Sequence, residues 1–177
     1  MSAAAAQGAE ISRNPRTGGS AEGPLATPPQ EVSRLAAAAA RAAGQVAATA
    51  PGERARWLEA VANALERDTE ELAALADRET ALGMERLRGE VGRAAAQARF
   101  YGSVARDGGW LDVRIDRAGG VDLRRMNRPI GPVAVFGASN FPFAFGIAGH
   151  DTSSALAAGC PVLVKAHPAH PLLSARL

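Results

Sequence analysis

The chain lacks the sequence features of disulfide-bonded, membrane-spanning and nucleic-acid-binding proteins. Its 177 residues include one cysteine, so no disulfide can form within it, and this favours a reducing compartment, here the cytoplasm. No apolar run reaches the ~18 residues that a membrane span needs, and the longest, residues 129–149, is broken by Pro132, Pro142 and several glycines. A net charge of +2 without a basic cluster argues against nucleic acid. The composition therefore predicts a globular protein that binds neither a membrane nor a nucleic acid.

Lysine is almost absent. Of the 20 basic residues, 19 are arginine, and Lys165 is the single lysine. Between Pro129 and Ala175 the only charged residues are Asp151 and Lys165. Because an ammonium and a guanidinium group differ in shape and hydration, a site that needs a compact ammonium cannot use arginine instead. The many charges in the first two-thirds of the chain predict solvated helices. The scarcity of charge in the last third predicts a buried sheet that carries one isolated cation.

The first two-thirds divides into an arm and a helical part. Residues 1–29 are rich in Ala, Gly, Ser and Pro without a period, which predicts a loose arm with a turn at Asn14–Gly18. In residues 30–110, apolar residues recur at steps of three and four, which predicts four helices. Gly108 and Gly109 are expected to end the last helix.

The period then changes to that of strands. In residues 111–128, apolar and polar residues alternate on both sides of the turn Ala118–Gly120, which predicts a hairpin. In residues 129–177, two apolar runs, Pro132–Phe136 and Pro161–Val164, flank a helical stretch that Gly159 closes. This strand–helix–strand order predicts an α/β fold, the start of a doubly wound, Rossmann-like parallel sheet.

Two polar segments follow the predicted strands directly. They are Phe136–Pro142 and Lys165–Pro168. Ligands of open parallel sheets bind at the carboxyl ends of the strands. If the two strands are neighbours, both segments face one crevice.

These segments carry a family resemblance. Arg-Pro-Ile-Gly-Pro-Val from Arg128, Ser-Asn-Phe-Pro from Ser139 and the run Ala155–Lys165 occur in the order and spacing of the aldehyde dehydrogenase superfamily. The sequence Phe-Gly-Ala-Ser-Asn-Phe-Pro-Phe-Ala-Phe, with Lys-Ala-His-Pro-Ala-His-Pro after it, resembles the NADP-using branch. That branch includes the 2,5-dioxopentanoate (α-ketoglutaric semialdehyde) dehydrogenases. The resemblance spans nearly the whole chain and is strongest from Arg128 to Pro171.

The resemblance implies an oxyanion donor at Asn140. The matching asparagine of the family donates its side-chain amide to the aldehyde oxygen as that oxygen becomes negative. A fixed neutral N–H donor stabilises such charge. Taken alone, an asparagine here is more often a turn former, and the surrounding motifs favour the catalytic role. Phe141 precedes Pro142, which keeps it out of helical angles and stiffens this turn.

The resemblance also implies a dinucleotide site. Lys165 matches the lysine that binds the adenosine ribose and approaches the extra phosphate of NADP. Pro168 stands where many NAD-preferring relatives carry a glutamate, which favours NADP, with NAD as the alternative. His167 is expected beside the cofactor. So is the backbone of the segment at the end of the first strand, which consists of Phe136, Gly137, Ala138 and Ser139. Ser139 departs from the tryptophan common in the wider family.

Five residues have two interpretations each. Phe141 and Phe145 are either core residues or, as the family pattern implies, neighbours of the aldehyde entrance. His167 and His170 are two of the ligands that a metal would need, but no further ligand has suitable spacing, so both are predicted loop residues and no metal is expected. Cys160 lies at the start of a strand and is predicted to be a small buried residue, not a nucleophile.

The family nucleophile, its glutamate general base and the glycine-rich phosphate turn match nothing here and are expected beyond Leu177. The chain is thus expected to be an amino-terminal piece of a homo-oligomeric enzyme that oxidises a small aldehyde, with 2,5-dioxopentanoate or a related semialdehyde preferred. The alternative is a catalytically inactive fragment that serves at most as a weak nucleotide-binding or interaction module. In either case the isolated chain is expected to be inactive and poorly stable.

Overall fold

The computed structural model describes residues 8–177, and Met1–Gln7 lie outside the described residues. Within these residues the chain is an α/β protein in which two strands, four helices and three strands precede a final helix–strand–helix run, with a 3₁₀ turn at Gly109–Leu111. The helices are α1 (Pro29–Ala48), α2 (Pro51–Arg67), α3 (Thr69–Thr80), α4 (Met84–Asp107), α5 (His150–Ala158) and α6 (Pro171–Arg176). The strands are β1 (Ala9–Arg13), β2 (Ser20–Leu25), β3 (Arg114–Ala118), β4 (Val121–Arg125), β5 (Val133–Phe136) and β6 (Val162–Lys165).

The core lies between helices α2, α3 and α4. The four predicted helices of this part are present, and Gly108 ends α4 in the left-handed conformation at φ 74°. Their facing sides are mostly alanine and leucine, whose small or unbranched side chains allow close approach. Helix α1 differs, because none of its residues is buried and Val32 and Leu35 are 49% and 40% exposed.

The prediction of a loose arm is wrong for residues 9–25. Strands β1 and β2 form an antiparallel hairpin, and the predicted turn joins them. Two polar contacts hold the hairpin to α3. Ser12 Oγ donates to Glu79 Oε1 at 2.7 Å, and the Arg16 guanidinium donates to both carboxylate oxygens of Asp77 at 2.7 and 2.9 Å. These long-range contacts, invisible to local composition, order the segment.

The hairpin predicted for residues 111–128 is present as β3 and β4. Ala118 pairs with Val121 across the two-glycine turn. All ten residues of the two strands are exposed, including Ile115 and Leu123 at 57% each. No helix among residues 8–177 is long and apolar enough to cross a membrane.

The predicted strand–helix–strand unit is present and parallel. Residues 133–136 of β5 pair in register with residues 162–165 of β6, and α5 connects them. Gly159 ends α5 at φ 89°, a conformation that glycine adopts without the strain of a side chain. The expectation of full burial is wrong, because Val135 alone is buried in β5. Within residues 8–177, β5 pairs only with β6, so its other edge and Phe136 remain open.

The Glu79 carboxylate should control how tightly the β1–β2 hairpin is held. It also accepts from the backbone N–H groups of Leu172 and Leu173 at 3.0 and 2.8 Å. Glu79→Ala leaves the buried Ser12 hydroxyl without its partner, at a cost of about 1–2 kcal/mol. Trypsin should then cut after Arg13 about tenfold faster, as followed by mass spectrometry.

The matched control is Glu70→Ala, which removes an exposed glutamate of the same helix that pairs with Arg88 at the surface. It should leave the cleavage rate unchanged. Equal rates in the Glu79 and Glu70 variants would show that the buried carboxylate does not hold the hairpin.

Candidate functional site

The carboxyl ends of β5 and β6 lie side by side. Phe136 pairs with Lys165, and the next backbone N–H, that of Gly137, donates to the Lys165 carbonyl at 3.0 Å. A Cβ atom at Gly137 would lie 3.5 Å from the backbone nitrogen of His167. The two polar segments expected to share one crevice are therefore adjacent.

The backbone after β5 is held on both sides. Ala138 N–H donates to the Phe145 carbonyl at 2.9 Å, and Ala138 O accepts from His170 Nε2 at 3.0 Å. Because a carbonyl oxygen only accepts, His170 must carry a proton on Nε2. Its Nδ1 lies 3.2 Å from Ser174 Oγ. His170 lies in the loop before α6, as predicted. The prediction did not include its structural role, in which the buried side chain joins the strand end to α6.

Asn140 lies at the exposed surface of the same turn. Its carbonyl oxygen accepts from Arg86 at 2.5 Å, which fixes the backbone against α4. No hydrogen-bond partner for its side-chain amide is found among residues 8–177, so the N–H donor is available to a ligand.

The phenylalanines of this segment fall into two groups. Phe143 is buried in the core, at 1% exposure. Phe141 and Phe145 are half-buried and meet edge to face, with 5.7 Å between ring centroids. The guanidinium groups of Arg86 and Arg93 lie over these two rings, at 5.1 and 5.5 Å from the centroids. Phe141 and Phe145 thus lie between core and surface, and each ring is partly covered by an arginine of α4.

The segment after β6 carries the other predicted cofactor residues. Lys165 and Pro168 are exposed, and His167 is half-buried. His167 Nδ1 accepts from the Ala169 N–H at 3.1 Å. Burial, together with the nearby His170 and Lys165, lowers the pKa of His167, which favours the neutral ring. Within residues 8–177, no group of three or more His, Cys, Asp or Glu side chains is arranged to hold a metal ion.

Glu90 on α4 is a site-forming residue that the sequence analysis did not identify. It is 6% exposed, and its Oε1 accepts from the backbone N–H groups of Phe143 and Ala144 at 2.8 and 3.0 Å. The available signal was its position, because Glu90 lies on the same face of α4 as the buried Leu87 and Val91. A carboxylate inside an apolar stripe needs a donor from elsewhere in the fold.

Cys160 lies far from this edge in the strand register. It precedes β6, whereas Lys165 ends that strand, and its side chain is 3% exposed. The Arg54 guanidinium is buried nearby against Gly159 and donates to the Thr49 carbonyl at 2.8 Å, and burial lowers its pKa. The prediction of a buried, structural cysteine is confirmed for its burial and its position.

Comparison with known proteins gives one family. The model of the aldehyde dehydrogenase family matches residues 4–177. Alpha-ketoglutaric semialdehyde dehydrogenase 2 of Azospirillum brasilense is 50% identical over 124 residues, which cover 66% of this chain and 24% of the relative. Alpha-ketoglutaric semialdehyde dehydrogenase of Acinetobacter baylyi is 44% identical over 147 residues, 79% of this chain and 28% of the relative. The chain thus spans about a quarter of the length of these curated relatives.

Solved structures agree on the fold. PnpE from Pseudomonas sp. WBC-3 is 30% identical and superposes with a TM-score of 0.83, covering 96% of this chain and 34% of that protein. PnpE has also been solved in complex with nicotinamide adenine dinucleotide. An aldehyde dehydrogenase from Brucella melitensis biovar abortus 2308 is 25% identical, with a TM-score of 0.81 over 94% of this chain and 34% of that protein.

Proposed function

Because the chain belongs to the aldehyde dehydrogenase family, we propose that it supplies the oxyanion donor and part of the dinucleotide site of an enzyme that oxidises an aldehyde to a carboxylate. The observation that carries this proposal is the meeting of Phe136 and Lys165 at one sheet edge, with Asn140 on the turn that follows. Lys165 and Asn140 thus lie at the carboxyl ends of parallel strands, where such folds bind ligands, and the Asn140 amide has no hydrogen-bond partner within residues 8–177.

In the proposed reaction, Asn140 acts on the aldehyde oxygen. A thiolate from a cysteine outside this chain forms a bond to the carbonyl carbon, and the electron pair of the carbon–oxygen π bond moves onto the oxygen. The Asn140 amide donates to that oxygen and lowers the energy of the developing charge. Arg86 donates to the Asn140 carbonyl and so holds the backbone from which this amide extends.

The residues at the strand ends fit a dinucleotide. A dinucleotide held by these residues would supply the hydride acceptor for the oxidation. Lys165 is exposed, forms no ion pair within residues 8–177, and can donate to ribose or phosphate oxygens. Gly137, Ala138 and Ser139 offer backbone without a large side chain in the way. These features support NADP, since Pro168 adds no carboxylate that would repel a 2′-phosphate.

The substrate that we propose is α-ketoglutaric semialdehyde, also called 2,5-dioxopentanoate. Two relatives of 50% and 44% identity carry that name, and Phe141 and Phe145 present aromatic surface to the aldehyde chain.

The Lys165 contact should be visible in the binding of NADP. In the full-length protein, Lys165→Met removes a charge-assisted hydrogen bond, which corresponds to an increase of about 10–100-fold in the Kd of NADP. The Kd of NAD should rise less, because NAD lacks the 2′-phosphate. Isothermal titration calorimetry measures both, and Lys165→Arg, which keeps the charge but not the compact ammonium, separates the effect of charge from that of shape. An unchanged Kd of NADP in Lys165→Met would contradict the assignment.

The oxyanion role predicts a large loss of turnover in Asn140→Ala. Removal of one such donor typically lowers kcat by about 10²–10³, while the Kd of NADP should not change. The rate of NADPH formation by the full-length protein measures the first effect. Asn127→Ala is the control, since Asn127 lies on the surface and donates to the Trp110 carbonyl, away from the sheet edge. Normal turnover in a folded Asn140→Ala protein would remove the oxyanion role.

The substrate assignment predicts an order of kcat/KM values. The full-length protein should use α-ketoglutaric semialdehyde better than a long-chain aliphatic aldehyde of equal concentration. Steady-state assays with both substrates and NADP give the comparison. A higher kcat/KM for the long-chain aldehyde would reject this substrate and leave the reaction class untouched.

A further inference from the structure

Helix α4 presents three charged side chains to the segment that carries Asn140. Arg86, Glu90 and Arg93 are spaced by four and three residues, so they lie along one side of the helix. Arg86 donates to the Asn140 carbonyl, Glu90 accepts from the N–H groups of Phe143 and Ala144, and Arg93 covers the Phe145 ring. The helix therefore contacts this segment at both ends.

Glu90 is the central contact and an expensive one to bury. Its carboxylate is 6% exposed, and Oε2 has no hydrogen-bond partner among residues 8–177. Desolvation of a carboxylate is costly unless donors replace the lost water. Here both donors are backbone N–H groups that belong to one turn. The stabilisation of the carboxylate and the conformation of that turn thus depend on each other.

These contacts affect the position of Asn140. Its backbone lies three and four residues before the two N–H groups that Glu90 binds, and Pro142 limits the conformations between them. We propose that Glu90 is a positioning residue that sets the place of the Asn140 amide, with Arg86 fixing the other end of the same segment. This inference rests on the oxyanion role proposed above.

The first measurement is independent of activity. In the full-length protein, Glu90→Ala should raise the hydrogen-exchange rates of the Phe143 and Ala144 amides about tenfold or more. Glu90→Gln keeps an oxygen acceptor and should retain most of the protection. Glu85→Ala, an exposed glutamate of the same helix, is the matched control. Unchanged exchange at both amides in Glu90→Ala would overturn the proposal.

The second measurement separates positioning from general stability. Glu90→Ala should slow single-turnover NADPH formation from α-ketoglutaric semialdehyde by at least about tenfold, because a donor displaced by a fraction of an ångström loses its effect. Glu90→Gln should recover most of the rate. The Kd of NADP should stay within twofold of the starting value, since the Lys165 edge is held by the β5–β6 pairing.

A double-mutant cycle decides whether the effect passes through Asn140. In the Asn140→Ala background, Glu90→Ala should cost almost nothing further, because the donor that it positions is already gone. An undiminished loss in that background would overturn the proposal. Normal turnover in Asn140→Ala alone would instead reject the oxyanion role, so the two failures are distinguishable.

Arg86→Met gives a test that leaves the core intact, since Arg86 is exposed. It should also slow NADPH formation and be non-additive with Asn140→Ala. The matched control is Arg88→Met, which removes an exposed arginine that pairs with Glu70. Equal rates in the Arg86 and Arg88 variants, together with a normal rate in Glu90→Ala, would overturn the proposal.

Discussion

A carboxylate buried among apolar side chains must find N–H or O–H donors, and this constraint joins the helical layer to the sheet edge. Glu79 and Glu90 are both buried, and among residues 8–177 neither pairs with an arginine. Glu79 accepts from Ser12 and from the first N–H groups of α6, whose own helix supplies no partners for them. Glu90 accepts from the turn after Asn140. Each glutamate thus fixes a segment that follows a strand.

The exposed ion pairs have a different role. Arg99 contacts Glu59 and Glu66 on α2, and Arg176 contacts Asp68 and Glu71, all at the surface. Exposed pairs of this kind contribute little each, because water and salt screen them. Most of the arginines therefore keep the helical layer solvated, whereas the strand-end loops are held by the two buried carboxylates, by His170 and by Arg86.

Local signals in the sequence predicted the elements that depend on neighbours in the chain. Apolar spacing located the helices, the glycines at 119 and 120 located the β3–β4 turn, and the apolar runs located β5 and β6. The β1–β2 hairpin was missed because its contact with Glu79 joins residues 67 apart. Glu90 was missed for the same reason, with 53 residues between it and Phe143. The assigned roles of Asn140 and Lys165 came from the family resemblance, not from either kind of signal.

The two parts of the proposed site, the strand end at Lys165 and the turn at Asn140, are held in place by different interactions. Lys165 is placed by the main-chain pairing of β5 with β6, which is insensitive to side-chain identity. Asn140 is placed by α4, through side chains that a single substitution can remove. His170 links the two parts, because it binds the Ala138 carbonyl between them and begins the helix that Glu79 caps. Cofactor affinity should therefore tolerate changes in α4 that the oxyanion donor does not, and a loss of both together points to His170 or Glu79.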